Sequence, residues 1–275
     1  MWKHALLLPI IRGLQRKEKG FLFLDTHAGR GKYDLRQSLR GDSLERKPEF
    51  PDGIGRLWRE ENLPGAIGEY VWLVKDFNAR FGGGSDAAEF YPGSPWLAQM
   101  SLREQDRLAA CELHEEEFAA LKYEFEYEKR ASVHPLDGYK AIRAMLPPME
   151  KRALVLIDPP YEAQNEFAQL TDAVLEGLRR MPAATFVVWY PLTERARSDA
   201  FLATFAEAGM PPSLVAEVAI AGDGSSLKMR GCGLLVVNPP WKIQADLQPL
   251  VEYLGEKLQQ QPGGGGRLRW LVPER

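Results

Sequence analysis

Asp158-Pro159-Pro160-Tyr161 follows directly on an unbroken apolar run, Ala153 to Ile157. An acid at the end of a strand buried on both faces stands where open α/β sheets bind ligands. Two prolines fix the direction of the backbone beside it, and an aromatic ring comes next. This set suits one kind of chemistry. The exocyclic amine of adenine is a weak nucleophile because its lone pair is delocalised into the ring. A carboxylate and a rigid backbone carbonyl can accept its two N–H bonds and localise that pair. An aromatic ring can stack on a base drawn out of its own stack. A proline-rich turn with a stray acid is the plainer reading, and it leaves the strand, the double proline and the ring unconnected.

Asn238-Pro239-Pro240-Trp241 repeats the pattern after the apolar run ending at Val237. It has no charge and comes late in the chain, where an edge strand is expected, so it reads as a capped strand end. Asp25-Thr26-His27-Ala28-Gly29-Arg30-Gly31 follows the first apolar run, Phe21 to Leu24. It is neither a G-x-G-x-x-G dinucleotide loop nor a phosphate-binding P-loop. Glycines after a strand-end acid would still let a small cofactor approach the backbone closely. Glu112 follows Leu108 to Cys111, and Asp137-Gly138 follows Ala131 to Val133. An acid about one βα unit past such a loop accepts ribose hydroxyls, although Asp-Gly is also a common turn pair. Ser94-Pro95 reads first as a helix N-cap with proline at the first helical position. Of the four histidines, His27 lies inside the glycine loop. His114 is followed by Phe118 where a zinc H-E-x-x-H motif needs its second histidine, and no metal cluster assembles. Cys111 and Cys232 are too few for a disulfide framework and read as buried thiols.

These residues need a sheet to hold them. Apolar runs at 21–24, 108–111, 131–133, 153–157, 185–189, 214–220 and 233–237 alternate with helical patterns such as Glu115 to Glu128 and Glu166 to Arg180. That rhythm predicts a mostly parallel seven-stranded α/β sheet, covered on both faces, in a single domain spanning 1–275. No convincing strand lies between Gly31 and Leu108. Two helical stretches there, Ile54 to Glu61 and Ala66 to Phe81, mark a helical insertion at 34–92 between the first and second strands. Gly263 to Gly266 is a turn into a last strand, Arg267 to Val272. At the start, Trp2 to Leu8 looks like the middle of an amphipathic helix without an N-cap.

The 275 residues are 45% hydrophobic and 27% charged, which excludes a disordered tail, a collagen-like chain and a coiled-coil rod. The formal net charge is −3, so any nucleic-acid contact needs a local patch. The first fifty residues supply one, with 11 basic against 6 acidic side chains, although a solvated helix face would look the same. The apolar stretch Ala5 to Ile11 contains Pro9 and falls far short of the ~20 residues a spanning helix needs. With no membrane segment and no cleavable leader, the expected compartment is the cytoplasm.

Taken in order, Phe23-Leu24-Asp25-Thr26-His27-Ala28-Gly29, Tyr91-Pro92-Gly93-Ser94-Pro95, Glu112-Leu113-His114, Asp137-Gly138, Ile157 to Tyr161, Trp189-Tyr190-Pro191 and Val237 to Trp241 resemble the bacterial 23S ribosomal RNA adenine-N6 methyltransferase J family. The likeness covers nearly the whole chain. It implies a class I S-adenosylmethionine-dependent methyltransferase fold, Rossmann-like, and N6 methylation of one adenine of 23S rRNA before ribosome assembly is complete; direct methyl transfer needs no metal, and a monomer is expected. Carried over residue by residue, it implies cofactor contacts at His4, His27, Ser94, Glu112, Asp137, Gly138 and Asp158. It implies a catalytic set of Asp158, Pro159 and Tyr161, and substrate contacts from Lys3 and Tyr161. Family members carry about fifteen further residues before the equivalent of Met1, which this sequence lacks, so the expectation is a start assigned too late or a shortened chain, with part of the adenine-binding region missing. Two other outcomes stay open: an adenine-N6 methyltransferase acting on DNA or another RNA, and an RNA-binding module that holds the cofactor without turnover.

Overall fold

The protein is described by a computed structural model covering residues 1–36, 50–163 and 165–274. Arg40, Arg46 and Lys47 of the basic stretch, and residues 37–49 of the insertion, lie outside the described residues.

Each apolar run becomes a strand of one sheet: β1 (Leu22–Asp25), β4 (Arg107–Cys111), β5 (Ala131–His134), β6 (Ala153–Ile157), β7 (Thr185–Leu192), β8 (Ser213–Ala219), β9 (Gly231–Val237) and β10 (Gly265–Val272). The order across the sheet is β10-β8-β9-β7-β6-β1-β4-β5. From β5 to β7 every neighbouring pair is parallel. β9 runs antiparallel to both β7 and β8, and β10 antiparallel to β8. The sheet therefore has eight strands rather than the expected seven. The eighth is the last strand, expected at Arg267 to Val272, which joins the sheet as β10 and covers the edge that β8 would otherwise leave open. β1 sits between β4 and β6, with Leu22 facing Arg107 on one side and Ala153 on the other.

Alternation splits the all-apolar strands between two cores. Leu154 and Leu156 of β6 join one cluster, and Ala153, Val155 and Ile157 the other. The first cluster is covered by α1 (Trp2–Gln15), by α3 (Gly65–Arg80) of the insertion, by α4 (Ser94–Ser101) and by α9 (Ile243–Lys257). The second is covered by α6 (Gly138–Met145), α7 (Glu166–Arg180) and α8 (Arg195–Glu207). α5 (Glu115–Glu124) anchors on the first through Leu121. α1 departs from the amphipathic expectation. Trp2, His4, Leu6, Leu8, Ile10 and Ile11 are all buried, because helices and the sheet enclose it on nearly every side. It does begin without a side-chain cap.

The insertion also differs from its reading. The helical stretch expected at Ile54 to Glu61 is the shorter α2 (Gly55–Trp58). Two strands, β2 (Lys32–Asp34) and β3 (Phe90–Pro92), form a separate antiparallel pair, with Tyr33 opposite Tyr91. Three residues are too few for alternation to show in a sequence.

Candidate functional site

Because β1, β4, β5 and β6 are parallel, Asp25, Glu112, Asp137 and Asp158 all lie on the carboxyl rim of the sheet. The ladder continues into the loops and fixes them. Thr26 N–H donates to the Leu156 carbonyl (3.0 Å), Ala28 N–H to that of Cys111 (2.9 Å) and Glu112 N–H to that of His134 (3.1 Å). Gly29 turns left-handed at φ 60°, and a Cβ there would meet the Tyr33 hydroxyl at 2.4 Å. Its N–H donates to Glu112 Oε2 (2.8 Å), while His114 N–H donates to Oε1 (2.8 Å). Both Glu112 oxygens are thereby aimed, and each keeps a lone pair for a further donor. Asp137 caps α6 by accepting from Lys140 N–H (2.9 Å). Gly138 packs so closely under the glycine loop that a Cβ would lie 2.3 Å from the Thr26 carbonyl oxygen.

The first turn of α1 reaches the same rim. Lys3 Nζ donates to Asp158 Oδ2, in an ion pair whose side chains are 20% and 15% exposed. His4 is buried, and its Nδ1 pairs with the Tyr91 hydroxyl (2.8 Å), which in turn pairs with the hydroxyl of Tyr70 (2.7 Å). His4 Nε2 has no partner. Burial holds the His4 imidazolium well below its ordinary range, so the ring is neutral. His27 behaves alike: burial pushes its pKa down to about 4, and its Nδ1 meets Thr26 Oγ1 (2.8 Å). Pro159 is buried beneath the turn. Tyr161 follows at φ 56°, a left-handed conformation that costs a bulky residue about 1–2 kcal/mol. That turn sets its half-buried ring against Phe167 (5.1 Å) and Trp189 (5.7 Å), with its hydroxyl donating to the Trp189 carbonyl.

Asp25 is fully buried, and neither carboxylate oxygen has a well-formed hydrogen bond. Burial pushes its pKa up to about 6, against the weaker opposing pull of the nearby Ser94 hydroxyl and Lys3. Below pH 3.8 the folded and unfolded chains are both protonated here, and nothing is lost. From 3.8 to about 6 the unfolded chain ionises first, so the cost to stability grows as pH rises, to about 3 kcal/mol above pH 6. Asp25→Asn should therefore stabilise the protein by about 1–3 kcal/mol at pH 8, and by roughly half as much at pH 5. Urea unfolding at the two pH values measures this, and an asparagine variant less stable at pH 8 would refute it. The two buried histidines act oppositely: the unfolded chain binds their protons as pH falls from 6.5, so they lower stability on the acid side.

The arrangement fits a nucleoside linked to an amino acid. Glu112 can take two ribose hydroxyls, Gly138 and the glycine loop allow close backbone approach, and Asp25 and His4 Nε2 offer buried polar atoms that lack protein partners. Ser94 differs from its reading as an N-cap. Gly93 holds that position, and Ser94 is the first helical residue, buried beside Asp25. Asn238 differs too. β9 is an interior strand, but it runs backwards, so Asn238-Pro239-Pro240-Trp241 sits on the opposite rim. There Asn238 Nδ2 donates to the carbonyls of Pro182 and Ala184. Tyr70 has no sequence signal at all. Among the described residues, no group of side chains could hold a metal ion, and no helix is long and apolar enough to cross a membrane.

The strand order, the glycine loop after β1 and the row of rim acids define a class I methyltransferase-type α/β domain. Residues 18–272 match the family model described as "Ribosomal RNA large subunit methyltransferase D, RlmJ". The chain belongs to that family. It is 36% identical over 272 residues to ribosomal RNA large subunit methyltransferase J of Escherichia coli, covering 99% of this chain and 94% of that one. The protein of the same name from Haemophilus influenzae is 35% identical with the same coverage. A crystal structure of a Legionella pneumophila protein superposes with a TM-score of 0.85 at 31% identity, covering 98% of this chain and 95% of the other.

Proposed function

We propose that this protein transfers a methyl group to N6 of one adenine in 23S rRNA, before ribosome assembly is complete. It works in the cytoplasm as a monomeric single domain, residues 1–275, with 34–92 as a helical insertion. The observation that carries this reading is the rim itself: Asp158 and its two prolines stand at the end of β6, beside the acids and glycines suited to the cofactor. Bound S-adenosylmethionine supplies an electrophilic methyl group. Glu112, Asp137, Gly138, His27, Ser94 and His4 hold it, and Asp25 belongs with them. Asp158 and the backbone locked by Pro159 accept the two amine N–H bonds and point the nitrogen lone pair. Lys3, which donates to Asp158, is a further substrate contact. The half-buried Tyr161 ring stacks on the base. These groups act mainly by orientation and polarisation of a preformed site.

The test is transfer from labelled S-adenosylmethionine to protein-free 23S rRNA taken from cells lacking the enzyme, with assembled large subunits and duplex DNA alongside. Label confined to N6 of one adenine of naked 23S rRNA supports the proposal. Label in DNA alone, or in no nucleic acid, overturns it.

A further inference from the structure

Among the described residues of the basic amino-terminal stretch, six side chains are paired with acids, Lys3 with Asp158 and five more. Arg12 pairs with Glu69, Arg16 with Asp246, Arg30 with Glu117, Lys32 with Glu124, and Arg36 with Asp34 and Glu89. Unspent positive charge lies elsewhere on the same rim as Asp158. β8 is parallel to β7, so the end of β8, the start of α8 and the start of β10 converge at the carboxyl rim. A cleft of about 530 Å³ opens there, lined by Arg195, Arg267 and Arg269. Its acids are engaged: Asp199 pairs with Arg195 (3.0 Å) and Asp223 with Arg230 (3.4 Å). The buried Glu217 accepts from Tyr190 Oη and Arg195 (both 2.9 Å). Arg267 and Arg269, two residues apart on one face of β10, have no ion pair among the described residues. The helix that borders the cleft also borders the target-base position: Tyr161 packs on Phe167, and the guanidinium of Arg197, on α8, lies 5.3 Å over that ring.

We propose that this cleft between α8 and β10 binds phosphates of the substrate RNA flanking the target adenine, with Arg267 and Arg269 as the principal contacts. The inference rests on the methyltransferase reading above. Phosphate contacts of this kind carry affinity rather than sequence choice, and each steepens the dependence of binding on salt.

The test uses the full chain carrying R267Q/R269Q, with labelled transfer to 23S rRNA and RNA binding measured across a salt series. The expected result is a KM for RNA raised about tenfold or more, with unchanged kcat at saturating RNA. The slope of log affinity against log salt should fall by about 1.5, and cofactor affinity should stay unaltered. R267K/R269K should restore most of the loss, because phosphate needs charge more than a guanidinium fork. Lys151→Gln, before the amino end of β6 on the opposite rim, should change nothing. If the wild type labels 23S rRNA while R267Q/R269Q keeps its KM and slope, the cleft proposal is overturned and the methyltransferase reading stands. The same holds if Lys151→Gln shifts both as much. If the wild type labels no 23S rRNA, the reading itself falls and the cleft proposal with it.

Discussion

Asp158→Ala is expected to lower kcat by at least about a thousandfold, while cofactor affinity falls far less. The argument is geometric. A weakly nucleophilic amine needs two fixed acceptors, and removing one leaves the nitrogen neither oriented nor polarised. The chain should still fold. The lost ion pair, with Lys3 20% and Asp158 15% exposed, costs roughly 1–3 kcal/mol, within the usual stability of a domain. Asp158→Asn keeps an acceptor oxygen but loses the charge that holds Lys3, so its turnover should fall between the two. Single-turnover methyl transfer, with calorimetric titration of the cofactor, separates the effects. Near-normal turnover by the alanine variant would refute the role given to Asp158.

Gly138→Ala is expected to weaken cofactor binding by about 30- to 100-fold. The backbone there is not left-handed, so alanine can adopt it, and at the first turn of α6 alanine is a better helix former than glycine. The difficulty is contact. The added methyl would lie 2.3 Å from the Thr26 carbonyl oxygen and 2.7 Å from His27 Cε1. Thr26 N–H and Oγ1 both donate to the Leu156 carbonyl, so that loop has little room to yield. Relief must come from moving the loop that carries His27 and Gly29, with an overpacking cost of about 1–3 kcal/mol. A dissociation constant within threefold of wild type would show that the loop gives way freely and that close packing at Gly138 is unimportant.

Much of this was legible beforehand because the sheet writes itself in uninterrupted apolar runs. β6 occupies the residues expected of it, and α7 likewise. The acids that end β1, β4 and β6 were found by one rule, that a polar residue stopping such a run lies on a rim. Strand direction was not legible. Nothing in Gly231 to Val237 tells β9 from a parallel strand, so the second proline pair was set aside on its lack of charge and on an edge position that β9, an interior strand, does not have. Burial of charge was also invisible. Asp25 looked like one acid of a loop, and its lack of partners depends on neighbours from β4 and β6 that local sequence does not reveal. The Tyr70–Tyr91–His4 chain joins three separate segments for the same reason. The basic count could not see the acids far along the chain, Glu117, Glu124 and Asp246 among them, that pair with Arg30, Lys32 and Arg16.

The central place of β1 has a consequence for how the molecule is made. Leu22–Asp25 leaves the ribosome early, yet its hydrogen-bonding neighbours are Arg107–Cys111 and Ala153–Ile157. At ~5–20 residues per second, synthesis takes on the order of ten seconds to deliver the second of them. Until then a strand buried on every residue in the finished protein has a hydrogen-bonding partner on one side at most. The rim cannot be complete before residue 158 has emerged, since Asp158 joins the other acids only through the β1–β6 pairing. Cofactor capture during translation would thus time the closing of the sheet, and a pause placed before β6 has emerged should delay it, whereas one placed after β6 has cleared the ribosome should not.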